Sequence, residues 1–253
     1  MREYFLAEKM KNRHTYLQKL MVLMPAAVVC LSVWLATDYF MIDSYNWWYM
    51  VLFPSMVALV GASVGNRDKK MGNRTIRVLP VKMGAVWDAK VLYGIQCMGI
   101  ALLVFLGMTL AVGTWLEHIQ QVFPINPSVG EQLLAVVVLF VTSLWQIPFC
   151  LLLQQLMGVF PMLLLHMGSY TLLSVELALH PFFMALPGGI TARLMCIILK
   201  ILPNGLVAEP GNVTFTQELL EWRGLPVGIA ASALWFVLLW RAGRKWFERQ
   251  VER

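Results

Sequence analysis

The side chains able to do chemistry are few here and stand apart from one another. His166, Glu176 and His180 are the ionisable groups of one long apolar run, and an ionisable group in such a run is by default a candidate for proton or ion handling. A proton-coupled carrier or an intramembrane enzyme needs more such groups than these. Glu176 admits two readings: a functional carboxylate, or one close enough to the outer end of its run to reach interfacial water or His180 one turn later. His166 reads as a packing residue near the inner boundary. Cys30, Cys97, Cys150 and Cys196 show no CxxC or CxxH spacing, so they read as small hydrophobes rather than disulfides or zinc ligands. The Gly-rich run from Gly65 to Gly72 lacks the Gly-Lys-Ser/Thr ending that would place an ammonium and a hydroxyl on a nucleotide. HExxH is absent as well. The chain is therefore expected to hold no metal or cofactor and to hydrolyse no ATP itself.

The elements around these residues follow from composition. Of the 253 residues, 59% are hydrophobic and 13% charged, against roughly 25% charged in soluble domains. This predicts an all-α integral membrane protein. The net charge of +6 clusters beside apolar runs, where anionic lipid headgroups account for it better than nucleic acid does. Apolar runs at 20–37, 47–64, 91–115, 132–157, 161–179 and 225–240 predict six transmembrane helices. The first 19 residues read as an interfacial amphipathic helix rather than a signal peptide. Gly61 and Gly65 stand in GxxxG spacing, which marks either close helix packing or ordinary small residues. Pro148 predicts a kink in the fourth span, with Ser143 or a neighbouring helix satisfying the freed carbonyl. The outer connection before span four carries Pro124 and Pro127, and residues 180–223 form a second outer segment punctuated by breakers such as Pro187 and Pro203. Within it Ile190 to Leu202 is too short to span and predicts a re-entrant or interfacial helix, with Arg193 and Lys200 snorkelling outward.

The interval from Gly65 to Lys90 organises the rest. It holds Arg67, Lys69, Lys70, Arg74, Arg77, Lys82 and Lys90, seven of the 20 basic residues, and so predicts a cytoplasmic loop between spans two and three. The N-terminal segment and the tail at 241–253 add five basic residues each, leaving Arg193, Lys200 and Arg223 outside. Both termini are then expected in the cytoplasm. The loop is longer than a simple anchor requires, and Pro80 breaks it before a second amphipathic segment. It therefore reads as a docking element on which a soluble partner can push. On the outer side, Asp38, Asp43, Glu117 and Glu176 with Trp47 and Trp48 form an acidic, aromatic face suited to a cationic amphipathic ligand.

Several stretches, in this order and spacing, resemble those of ABC-2 type exporter permeases, and more narrowly the lantibiotic-immunity permeases. They are Ala7-Glu8-Lys9-Met10-Lys11 with Lys19-Leu20 and Pro25; Asn46-Trp47-Trp48-Tyr49 with Pro54; Leu79-Pro80 followed by Trp87 and Lys90; Ser143-Leu144-Trp145-Gln146-Ile147-Pro148; and Pro203-Asn204-Gly205. The resemblance implies a single permease domain with an N-terminal interfacial helix, a cytoplasmic coupling helix and an outer re-entrant segment. It implies two permease chains, a related second subunit pairing with this one, and two copies of a separate ABC ATPase that carries the ATP and magnesium. Its cargo would be an antimicrobial peptide moved out of a bacterial cell membrane. The coupling helix would comprise Arg67, Asp68, Lys69, Lys70, Met71, Asn73, Arg74 and Ile76. Asn66 or Asp68 stands where the wider family often carries a Glu. The peptide-facing outer residues would be Asp38, Asp43, Trp47, Trp48, Glu117, Glu176 and Arg193.

Overall fold

The computed structural model describes residues 1–120 and 125–251. Pro124 and Arg253, which belong to the expected outer loop and tail, lie outside the described residues. Among the described residues the chain is helical, without a strand. Its helices are α1 (Arg2–Asn12), α2 (Leu17–Leu35), α3 (Phe40–Trp47), α4 (Phe53–Lys70), α5 (Arg74–Arg77), α6 (Met83–Gln120), α7 (Val129–Ser143), α8 (Gln146–Met157), α9 (Val159–Leu179), α10 (Pro187–Leu199) and α11 (Gly224–Val251). Six stretches are long and apolar enough to cross a membrane: Leu17–Leu35, Thr37–Lys70, Met83–Ile119, Val129–Met157, Val159–Leu179 and Gly224–Gln250. The chain is a helical, multi-pass membrane protein.

The spans are longer than their apolar runs. Helix continues through Lys70 beyond the expected end at Val64, starts at Met83 before Val91, and runs through Val251 beyond Trp240. Hydropathy marks the part of a helix that sits in hydrocarbon, and nothing at the interface obliges the helix to stop there. The 38 residues of α6 extend about 57 Å, nearly twice the roughly 30 Å hydrocarbon core. Arg67, Lys69 and Lys70 in the last turn of α4 also suit the negative end of its dipole.

The connection between the first two spans is correspondingly short. Instead of a loop reaching Trp47, the chain re-enters helix at Phe40 and passes through a π-helical turn at Trp48–Leu52 into α4. Tyr45, Trp48 and Tyr49 are wholly buried. The Trp48 ring stacks on Phe105 at 4.8 Å and 7°, and Tyr45 meets the same ring edge-on at 5.0 Å. Its hydroxyl donates to the Gln132 carbonyl at 3.3 Å. These aromatics fill the core between α3, α6 and α7, and do not line an outer interface. Amphipathic rings suit both settings, and the helical spacing Met41, Tyr45, Trp48 favours packing.

Gly61 and Gly65 face α8. A Cβ on Gly61 would stand 2.7 Å from that of Cys150, and one on Gly65 would overlap the Gln154 side chain. The pair therefore serves close helix approach. At Leu144–Trp145 the fourth span breaks into two helices. The Leu144 carbonyl, which Pro148 cannot serve, accepts instead from the Ile147 N–H at 3.4 Å. Ser143, the expected rescuer, has its hydroxyl buried without a partner.

The short helix α10 is enclosed by the protein's own helices. Every residue of it except Gly188 is buried, against α7, α9 and α11. The Thr191 hydroxyl donates to that of Thr142 on α7 at 3.1 Å.

Gly61→Val should lower the free energy of unfolding by about 1–3 kcal/mol through overpacking against Cys150. Gly107, with no atom near its missing Cβ, should tolerate Ala at no cost. Denaturant titration of both variants in detergent micelles measures the contrast.

Candidate functional site

Sequence reasoning assigns one set of residues to each end of the bundle, and the structure treats the two sets differently. At the basic end, α1, α4 and α6 meet around four charges. The Lys90 ammonium is almost entirely buried. It donates to Glu8 Oε1 at 3.2 Å, to the Val64 carbonyl at 3.2 Å, and to Asp68 Oδ2. Lys11 Nζ donates to Glu8 Oε1 at 2.9 Å and to both Asp68 oxygens at 3.2 Å. Two acids and two lysines thus form a closed, electrically neutral group tying three helices together. Burial of Lys11 opposes its charge, but Glu8 and Asp68 outweigh this and hold its pKa above the ordinary lysine value.

Asp68 is therefore not free to face a partner, because its oxygens are consumed inside the chain. Lys69 is likewise engaged. Its ammonium donates to the carbonyls of Gln154 and Gln155 at 2.7 and 2.8 Å, capping the last turn of α8, where orphan carbonyls and the helix dipole favour a cation. Gln155 Nε2 returns a hydrogen bond to the Gly65 carbonyl at 3.1 Å.

The expected single coupling helix is split. Arg67, Asp68, Lys69 and Lys70 complete α4. Gly72 and Asn73 then take left-handed conformations (φ 59° and 57°), which these residue types tolerate, and α5 is one turn long. Ile76 is buried and roots that turn in the core. Arg67, Lys70, Met71 and Arg74 are exposed, and Asn73 is half-buried. Beyond them Val78, 81% exposed, and Leu79, 55% exposed, stand beside Pro80 and Lys82. A basic and apolar tip thus projects from a rigid base. That Val78 and Leu79 belong to it went unread, although an apolar pair before Pro80 within a charged interval was the available sign.

The same end gathers both termini. The Asp88 carboxylate accepts from Trp240 Nε1 at 2.7 Å and pairs with Arg244 at 3.2 Å, and Trp87 packs on Phe247 at 5.7 Å. A Cβ on Gly243 would collide with Trp87. The Lys82 N–H donates to the Tyr4 hydroxyl at 3.2 Å.

The residues expected on the outer face are dispersed. Asp38 is exposed at the α2–α3 connection, and Asp43 is half-buried on α3 beside half-buried Trp47. Trp48 is core. Glu117 is exposed on α6 and accepts from Asn126 Nδ2 at 2.9 Å. Glu176 is exposed on α9, a helix packed against α4, α8 and α10. Arg193 does not snorkel outward. It is buried, donating to the Ala178 carbonyl at 3.1 Å and the Glu218 carbonyl at 2.7 Å, with its guanidinium 5.3 Å from the Phe183 ring centroid. The Ala178 carbonyl in the last turn of α9 and the Glu218 carbonyl of the 217–220 turn offer this cation what water would. Lys200 is exposed. His166 is buried among Trp145, Phe149 and Tyr170, its Nε2 3.2 Å from Gln146 Oε1. Among the described residues no group of His, Cys, Asp and Glu is placed to hold a metal.

Comparison with known proteins finds no matching family, curated protein or solved structure.

Removing one member of the four-charge group leaves a buried carboxylate uncompensated, so Lys90→Met should cost about 3–5 kcal/mol. Lys90→Met/Asp68→Asn, whose remaining Glu8–Lys11 pair is neutral, should recover part of that loss. Unfolding midpoints of the two variants give the comparison.

Proposed function

We propose that this chain is the permease subunit of an ABC-2 type exporter, driven by a separate ATPase, that expels a lantibiotic-type antimicrobial peptide from a bacterial cytoplasmic membrane. The observation that carries this reading is the exposed tip of Lys70, Met71, Arg74, Val78 and Leu79, standing on helices locked by buried charge. Cations and exposed aliphatic side chains on a short turn offer a soluble partner both steering and anchorage. The locked base would carry a push into α4 and α6 without dissipating it in side-chain rearrangement. The positive-inside rule puts this end, with both termini, in the cytoplasm. Two copies of the ATPase, holding ATP and magnesium, and a second related permease chain complete the assembly.

On the opposite side, exposed Asp38, Glu117 and Glu176 favour approach of a cationic, membrane-inserted peptide. Dispersed over several helices, they act by field rather than as a pocket. Trp48 and Arg193 take no part in peptide contact in this reading, since both are occupied inside the fold.

Lys70→Glu/Arg74→Glu should reduce peptide export by about tenfold or more in proteoliposomes containing the ATPase, with the unfolding midpoint unchanged. Unaltered export would rule the tip out as the coupling element. An exporter of another amphipathic cargo would show the same loss without protecting cells against the peptide, and a non-transporting sensor would show no ATP-dependent efflux. Separately, Asp38→Asn/Glu117→Gln/Glu176→Gln should weaken protection against cationic peptides and leave it intact against neutral ones, in growth assays across both sets.

A further inference from the structure

Beside the four-charge group lies a groove of about 380 Å³ between α1, α2 and α6. Its polar lining, the rim, is Lys9, Arg13, Gln18 and Gln96, and its apolar lining, the floor, includes buried Met21 and exposed Ile100. We propose that this groove binds one molecule of an anionic phospholipid.

The two cations set the ligand's charge. Lys9 and Arg13 are exposed, and among the described residues neither side chain makes an ion pair or hydrogen bond. Lys11, between them in sequence, is committed to Glu8 and Asp68 on the other face of α1. Two unpaired cations beside two side-chain amides present donors suited to phosphate oxygens.

The floor sets the ligand's shape. Met21 and Ile100 belong to α2 and α6, which both enter the apolar zone as membrane spans. A soluble anion would use the rim alone and leave the floor wet. A phospholipid uses both, with its phosphate among the cations and its acyl chains along the floor toward the bilayer interior. Helix α1 lies at the right depth for this. It turns Glu8 and Asn12 into the protein and leaves Leu6 and Met10 exposed, the orientation of a helix resting in the interfacial layer. Basic pockets between spans are a recurring way of holding lipid headgroups. This assignment needs membrane residence only, and stands or falls apart from the exporter reading.

The test titrates the delipidated full chain in detergent micelles with phosphatidylglycerol, phosphatidylcholine or glycerol phosphate, counting bound molecules by native mass spectrometry. One phosphatidylglycerol should bind per chain, about tenfold or more tighter than phosphatidylcholine, and glycerol phosphate should not displace it. Lys9→Gln/Arg13→Gln should remove that preference, whereas Arg2→Gln/Lys19→Gln, neutralising the same segment outside the groove, should keep it. Ile100→Trp leaves every charge in place and fills the floor, so it should weaken binding of phosphatidylglycerol; this keeps the test decisive if the doubly neutralised chain does not fold. Equal affinity for the two lipids, equal effects of the two neutralised pairs, displacement by glycerol phosphate, or full affinity in Ile100→Trp would each overturn the proposal.

Discussion

The arrangement depends on an ammonium group with almost no access to water. Lys90 sits where α1, α4 and α6 converge, and its burial is tolerable only because Glu8, Asp68 and the Val64 carbonyl surround it. Such a group adds little net stability compared with well-packed hydrophobes, but it discriminates strongly between arrangements. Sliding α1 by one turn, or rotating α4 relative to α6, would strand at least one charge in an apolar setting. The group therefore acts as a register pin for three helices that otherwise pack through interchangeable aliphatic contacts.

Two further polar ties extend the same principle around the basic end. Lys69 fastens α4 to the end of α8, and Asp88 fastens α6 to α11 through Trp240 and Arg244. Most of the spans are thus joined, directly or through one intermediary, at this end. Among the charges outside these ties, Lys70 and Arg74 stand exposed on the tip, and Lys9 and Arg13 line the groove between α1, α2 and α6.

The membrane class, the six spans and the importance of the 65–90 interval were legible because hydropathy and positive charge act over whole segments. Pairings were not. Glu8, Asp68 and Lys90 lie far apart in the chain, and a buried acid in a basic interval looks like any other loop residue until its helix is known to continue. Trp48 was expected on the outer face for a related reason, since interfacial and core aromatics share a composition and differ only in which neighbours arrive. Arg193 was misjudged because a cation in an apolar helix has two ways out, water or a helix C-terminus, and only tertiary structure supplies the second. The Gly61–Gly65 pair was ambiguous in sequence and resolved by the nearness of Cys150.

The enclosed position of α10 constrains how the protein can be made. Thirteen residues are too few to cross a bilayer unaided, and an arginine in their midst makes entry into lipid alone costly. During synthesis this segment cannot be retained in the membrane on its own hydrophobicity. It must wait at the surface until α7 and α9 are in place, and it is covered only when α11 arrives. Its entry is therefore a docking step rather than an insertion, and a nascent chain arrested before Gly224 would leave this enclosed helix without its cover.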